Sequence, residues 1–294
     1  MAIDIDEQDV ACLLSMAEMP DVDSISPMQG GWANTNVLLT LVDGSNVVLK
    51  AWDANTVEEV GRVIQRHAYL DAHGIPTPVP LELSSGNRHV ERKGVAWALV
   101  PHYEGGLLGS DTDSLRSLGE VQARMHLIPI DDFFPEVYTM GFEFFKRVFA
   151  LAEERDAWSP FLDLLRREAA SLEPRIPHDL PSGILHGDLF PDNVIGSGGE
   201  VAAILDLEEA WIGPLAFDLV MSFVGFGWED SEPLEGRWRA LLEGYESVRP
   251  LTEVEWSALP HLNRYATLSI AAWRYWKHVM SRHDPNLAER YLEM

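Results

Sequence analysis

Short apolar runs alternate with longer stretches of helical spacing along this chain. Val37-Leu38-Leu39-Thr40-Leu41 and Val47-Val48-Leu49-Lys50 flank the turn Asp43-Gly44-Ser45-Asn46, a pattern that predicts a β-hairpin. From Val57 to Ala72 the apolar positions Val57, Val60, Ile64 and Ala68 follow a helical period, and Gly74 and Pro76 stop it. Val95-Ala96-Trp97-Ala98-Leu99-Val100 has the pattern of a buried strand, broken by Pro101-His102-Tyr103-Glu104-Gly105-Gly106. Further on, Gly183-Ile184-Leu185 runs into a polar loop and Val194-Ile195 leaves it. Gly198-Gly199 then precedes the apolar run Val201–Leu205, which reads as loop, strand, turn, strand. Leu219 to Phe226 predicts an apolar helix, and from Tyr265 to Met280 the residues Tyr265, Leu268, Trp273 and Trp276 keep helical spacing.

The polar loop carries the chemistry. It reads His186-Gly187-Asp188-Leu189-Phe190-Pro191-Asp192-Asn193, and Asp206 follows thirteen residues after Asn193. Phosphoryl transfer from a metal nucleotide uses one aspartate to receive the acceptor's proton. It uses an asparagine five positions on and an aspartate after the next strand to hold Mg²⁺. Asp188 fits the catalytic role, and Asn193 and Asp206 fit the metal roles at one end of a hairpin. Asp, Asn and Pro also favour plain surface turns, but Asp206 in register after an apolar strand favours the kinase arrangement. No second His or Cys lies near His186 at ligand spacing, so His186 is expected to orient the loop backbone.

A nucleotide enzyme also needs groups for the phosphates and for the base. Gly30-Gly31-Trp32-Ala33-Asn34 stands before the first hairpin, where Gly30, Gly31 and Asn34 are candidates for contact with the nucleotide. Lys50 ends the second strand, the place of a phosphate-gripping lysine. The helix from Val57 should carry the glutamate that pairs with it, and Glu58 and Glu59 are the candidates; both would equally suit a helix N-terminus. Pro101, His102 and Tyr103 follow a buried strand, as an adenine-binding hinge or an ordinary loop would. Asp218 either caps the apolar helix after it or braces the catalytic loop.

Together these residues resemble the aminoglycoside phosphotransferase and choline kinase superfamily, and within it the homoserine kinases. The stretches that carry the likeness are Ala33-Asn34-Thr35-Asn36, Leu180 to Val194, Ala216-Phe217-Asp218-Leu219 and Gly244 to Thr252. The resemblance implies an α+β, bilobal, protein-kinase-like fold. Residues 1–101 would form a small lobe with an antiparallel sheet, 102–106 a hinge, and 107–294 a mostly helical lobe holding the catalytic loop, metal site and acceptor pocket. It also implies ATP and Mg²⁺ in the cleft and a small-molecule alcohol as acceptor. One departure matters: Leu207-Glu208-Glu209 follows the metal aspartate where homoserine kinases have aromatic residues. Carboxylates there resemble the kinases of cationic acceptors. Glu209 is thus a candidate for an acceptor ammonium group and Arg274 for an acceptor carboxylate. The acceptor is read as homoserine or a related amino alcohol, against an aminoglycoside, amino sugar, choline-like alcohol or protein hydroxyl. A catalytically silent nucleotide-binding module is the alternative from another class.

Composition narrows the partners. With 22 basic and 47 acidic residues, the net charge of −25 repels nucleic acid and anionic membrane. Only four lysines occur, Lys50, Lys93, Lys146 and Lys277, and one of them stands at the nucleotide-gripping position. No apolar run approaches the length of a membrane span, and Cys12 is the sole cysteine, so a reducing cytoplasm is expected.

Overall fold

The computed structural model describes residues 5–28, 34–281 and 283–294. Its first helix, α1 (Glu7–Met16), begins at a capping box in which Asp6 and Asp9 exchange side chain-to-backbone hydrogen bonds. A sheet of five antiparallel strands follows: β1 (Val22–Pro27), β2 (Thr35–Leu41), β3 (Asn46–Trp52), β4 (Val90–Arg92) and β5 (Val95–Pro101). Their spatial order is β1-β2-β3-β5-β4. The expected hairpin is β2–β3, and Lys50 lies two residues before the end of its second strand. Helix α2 spans Val57–Ala72, as its periodicity predicted, and starts at a second capping box between Thr56 and Glu59.

Strand alternation assigns the sheet's two faces. Leu49, Trp97 and Leu99 join Val10, Leu13 and Leu14 of α1 in one core. Trp52, Ala96 and Ala98 face the other way and pack with Val60 and Ile64 of α2. A period of two therefore turns Lys50 toward the same side as Trp52, opposite Ala98 in the ladder.

The chain continues through β6 (Gly106–Leu107), α3 (Thr112–His126), α4 (Phe142–Glu154), α5 (Pro160–Leu172) and β7 (Ser182–Leu185). Then come β8 (Val194–Ser197), β9 (Glu200–Ile204), β10 (Trp211–Pro214), α6 (Leu215–Phe226), α7 (Glu235–Val248) and α8 (Glu253–Tyr275). Two compact units result. The first comprises residues to Leu108 with Asp192–Glu208, and the second Gly109–Pro191 with the chain from Glu209 onward. The hairpin β8–β9, expected in the helical lobe with residues 107–294, belongs instead to the first unit. The cause is local bonding. β6 pairs with β8, the Ile204 amide donates to the Pro76 carbonyl (2.8 Å), and the Thr77 hydroxyl donates to the Ile204 carbonyl (2.7 Å). Gly105, at φ +141°, meets the Gly196 carbonyl so closely that a Cβ would collide with it.

In the second unit α6 is buried almost all round and starts four residues before the expected Leu219. The helix expected over Tyr265–Met280 is the end of the longer α8, which tolerates Pro260 inside it and gives way to a π-helical turn over Trp276–Ser281. No helix among the described residues is long and apolar enough to cross a membrane.

Candidate active site

The first unit gathers the residues assigned to phosphate and metal. Lys50 is buried on β3, and its ammonium donates to Asp206 Oδ1 and to Glu208 Oε1, the latter at 3.0 Å. Trp52 Nε1 (2.9 Å) and Asn34 Nδ2 (3.1 Å) donate to the same Glu208 oxygen. Burial works against the charge on Lys50, but the carboxylates of Asp206 and Glu208 outweigh it and hold the ammonium above the ordinary lysine range. Glu208 is the mirror case: burial pushes its carboxyl up, and Lys50 with the Trp52 indole brings it below the usual range.

The backbone beneath this cluster is pinned from α2. Arg66 Nη1 donates to the carbonyls of Leu207 (2.9 Å) and Glu208 (3.1 Å), and His67 Nδ1 meets the Thr77 hydroxyl at 2.7 Å. Asn193 and Asp206 flank the open end of the β8–β9 hairpin, where Val194 faces Ile204 and the Leu205 amide donates to the Asn193 carbonyl (2.9 Å). Asp206 sits at φ +51°, a left-handed backbone uncommon for a non-glycine residue. Such outliers concentrate at functional sites.

The pairing of Lys50 with α2 is corrected. Glu58 pairs with Arg62 at 2.9 Å, and Glu59 completes the cap with Thr56; the lysine's glutamate is Glu208. Helix α2 contributes an arginine to this region in place of a carboxylate. Gly30 and Gly31 lie outside the described residues. Pro101 closes β5 opposite Val47, His102 follows it half-buried, and the Tyr103 hydroxyl donates to the Thr77 carbonyl at 3.3 Å.

The second unit holds Asp188. Strand β7 pairs with β10, Leu185 opposite Trp211, and delivers the chain to His186. Asp218, fully buried, accepts hydrogen bonds from the amides of His186 (3.0 Å) and Gly187 (2.8 Å). Because α6 begins at Leu215, Asp218 lies inside the helix and is no cap; it braces the loop. Burial raises its carboxyl, but the bond from His126 and the His186 amide outweigh burial and bring it below the usual range. His186 Nδ1 accepts from the Asp188 amide at 3.2 Å, so His186 orients the loop backbone as its isolation in sequence suggested.

Gly187 has φ +79°, and a Cβ there would lie 2.6 Å from the Glu209 carbonyl and 3.1 Å from the Trp211 ring. Tyr138, which the sequence did not single out, donates to the Gly187 carbonyl at 2.8 Å and stacks on Trp211. Burial, then the charges of Asp188 and Glu209, push its hydroxyl well above the ordinary tyrosine range, so it keeps the proton that it donates. Arg274 has partners on the C-terminal segment, where its Nη1 meets Glu293 at 3.0 Å and the Arg290 carbonyl at 3.1 Å.

The donors suit a metal that is completed by a ligand's own oxygens. Among the described residues no group of three or more His, Cys, Asp or Glu side chains forms a cage. Mg²⁺ is commonly held by one or two carboxylates plus substrate phosphates, and Asp206 with Asn193 matches that demand. Two buried oxygens of the same cluster, Asn34 Oδ1 and Glu208 Oε2, have no hydrogen-bond partner.

The sequence pattern of the phosphotransferase enzyme family matches residues 24–251. Homoserine kinase of Methylobacillus glycogenes is 31% identical over 272 residues, covering 87% of this chain and 80% of the relative. Homoserine kinase of Agrobacterium fabrum is 30% identical over 272 residues, covering 90% and 84%. Among solved structures, amicoumacin kinase in complex with AMP-PNP, Ca²⁺ and Ami aligns at TM-score 0.74 and 15% identity, over 98% of this chain and 92% of that one. Spectinomycin phosphotransferase in complex with ADP and spectinomycin aligns at TM-score 0.72 and 16% identity, over 99% and 94%. These structures share the α+β, protein-kinase-like fold. The chain belongs to the phosphotransferase enzyme family and is a phosphotransferase with an alcohol group as acceptor.

Proposed function

We propose that this protein transfers the γ-phosphoryl group of ATP to the hydroxyl of homoserine in a Mg²⁺-dependent reaction. The observation that carries the chemistry is the open end of the β8–β9 hairpin, where Asn193 and Asp206 both lie just beyond the Val194–Ile204 pair, with Lys50 against Asp206. Asn193 and Asp206 would hold the metal, which when bound neutralises charge on the phosphates. Lys50 and Asn34 grip phosphate oxygens, with the Gly30-Gly31 backbone, and the Pro101–Tyr103 segment meets the adenine edge. Asp188 orients the acceptor hydroxyl and takes its proton, while Asp218 and Tyr138 keep its loop in place. The transition state is loose, so positioning and charge neutralisation outweigh base strength.

Homoserine as acceptor is supported by relatives of that name at 30% identity or more over most of the chain. Glu209 is the group proposed for its ammonium, since its charge bears on Tyr138 together with that of Asp188. Glu208 is committed to Lys50 and Arg274 to Glu293, so neither is proposed as an acceptor contact. Incubation with ATP, Mg²⁺ and homoserine should yield ADP and phosphorylated homoserine. Turnover of choline or an aminoglycoside but not homoserine would replace the acceptor and keep the chemistry. Loss of all transfer across amino alcohols and sugars would overturn the kinase reading.

A further inference from the structure

The segment Gly244 to Thr252, part of the family resemblance, has so far no role. Its Tyr245 is linked to Asp218 through His126. Gly119 of α3 and Gly244 of α7 let these helices meet backbone to backbone. A Cβ on Gly119 would strike the Leu241 carbonyl and the Tyr245 amide, and one on Gly244 the Arg116 carbonyl. That approach sets His126, the last residue of α3, against Tyr245.

The Tyr245 hydroxyl lies 2.8 Å from His126 Nδ1, and His126 Nε2 lies 3.2 Å from Asp218 Oδ2. Arg249 Nη1 donates to the Tyr245 hydroxyl oxygen at 3.1 Å, and Arg249 Nη2 stands 2.9 Å from Glu255 Oε1. Glu255 accepts in addition from the Thr252 amide at 2.9 Å, which starts α8. A guanidinium can only donate and a carboxylate can only accept, which sets the two ends; with the ring proton on Nε2 facing Asp218, Nδ1 of a neutral His126 accepts from Tyr245. Arg249 donates to Tyr245, Tyr245 to His126 and His126 to Asp218, which accepts the two loop amides. His126, Tyr245, Asp218 and Glu255 are all buried, so water cannot replace a missing partner. In such a chain each bond polarises the next.

We propose that Tyr245 and the Arg249–Glu255 ion pair are positioning residues for phosphoryl transfer, holding Asp218, and through it the His186–Asp188 loop, in its working geometry. The role rests on the reading of Asp188 as the catalytic aspartate. Its range is the whole width of α7, from the loop to the start of α8.

Tyr245→Phe tests it, because the ring and its edge contact with His126 are kept while the hydroxyl is lost. The expected result is a fall in kcat of roughly 10-fold, the rate equivalent of one buried hydrogen bond, with KM for ATP unchanged. Amide exchange at His186 and Gly187 should rise while that of α7 itself stays as in the wild type. Glu255→Gln keeps an oxygen for the Thr252 cap and removes the charge facing Arg249; it should show the same split with a smaller fall. The proposal is overturned if both variants keep wild-type kcat and loop exchange. It is equally overturned if exchange rises throughout α7 and activity falls only with the folded fraction. Loop exchange is read without substrate, so it stands apart from failure of the Asp188 assignment, which Asp188→Ala would reveal on its own.

Discussion

Lys50 Nζ lies 3.0 Å from Glu208 Oε1, a glutamate supplied by the turn after β9 and not by helix α2. The Glu208→Ala variant leaves a buried ammonium with one carboxylate in place of two. Breaking a buried pair costs about 3 kcal/mol, so a clear drop in urea midpoint is expected. Glu58→Ala, which removes only an exposed partner of Arg62, should change stability by less than about 0.5 kcal/mol. Equal losses in the two variants would return the pairing to α2.

Asp188→Ala should lower turnover by roughly 10²–10⁴-fold, the usual share of a positioned base. Nucleotide affinity should stay near that of the wild type, because the residues assigned to phosphate and metal belong to the other compact unit. Wild-type turnover on the true acceptor would remove Asp188 from the mechanism.

Asp206→Ala should act on binding as well as rate. Its carboxylate is both the proposed metal ligand and a partner of Lys50, so titration calorimetry should show Mg²⁺-dependent nucleotide affinity lost. Unchanged affinity would reassign the metal to other residues.

For acceptor recognition the expectations divide. Glu209→Gln should raise KM for homoserine, while Arg274→Gln should leave it unchanged, since Arg274 is held by Glu293 and the Arg290 carbonyl. A steep rise in KM for Arg274→Gln would mean that the acceptor carboxylate displaces Glu293.

Asp9 makes the first unit sensitive to acid. It is buried between Arg92 and Lys93, each at 2.6 Å. Burial raises its carboxyl, but the bonds from Lys93, Arg92 and the Asp6 amide prevail and bring it from 3.8 to about 2. A proton therefore binds the unfolded chain more tightly. The stabilisation is full above the ordinary value of 3.8 and is lost as pH falls toward 2. Urea midpoints of wild type and Asp9→Asn should differ at pH 6 and converge as pH drops below 4; a constant gap would exclude ionisation of Asp9 as the cause.

Much of the fold was written in local signals. Helix α2 kept its bounds because Thr56 caps it and Gly74 ends it, both readable from neighbours in sequence. The β8–β9 hairpin was legible for the same reason, with Gly198 and Gly199 at positive φ in its turn. Helix α1 was missed, although Asp6 and Asp9 three residues apart before Val10, Leu13 and Leu14 carry its signature. Pro260 concealed the true start of α8. Partners chosen by tertiary contact were not legible. Nothing local says that Glu208 meets a lysine 158 residues earlier, that Arg274 turns to the C-terminal segment, or that Tyr138 reaches the Gly187 carbonyl. The choice between capping and bracing for Asp218 was decided by where α6 begins, which the apolar residues Leu215 to Phe217 before it left open.

The return of Asp192–Glu208 to the first unit has a consequence for synthesis on the ribosome. The chain passes between units three times, at Leu108, at Pro191 and at Glu208. The sheet of β1 to β5 can emerge early, but its buried lysine has no counter-charge until Asp206 and Glu208 have been translated. When these two residues emerge, residues 109–191 of the second unit have already left the tunnel. Domains that are contiguous in sequence can fold one after the other as they emerge; here the last strand pair of the first unit arrives only when half of the second is waiting.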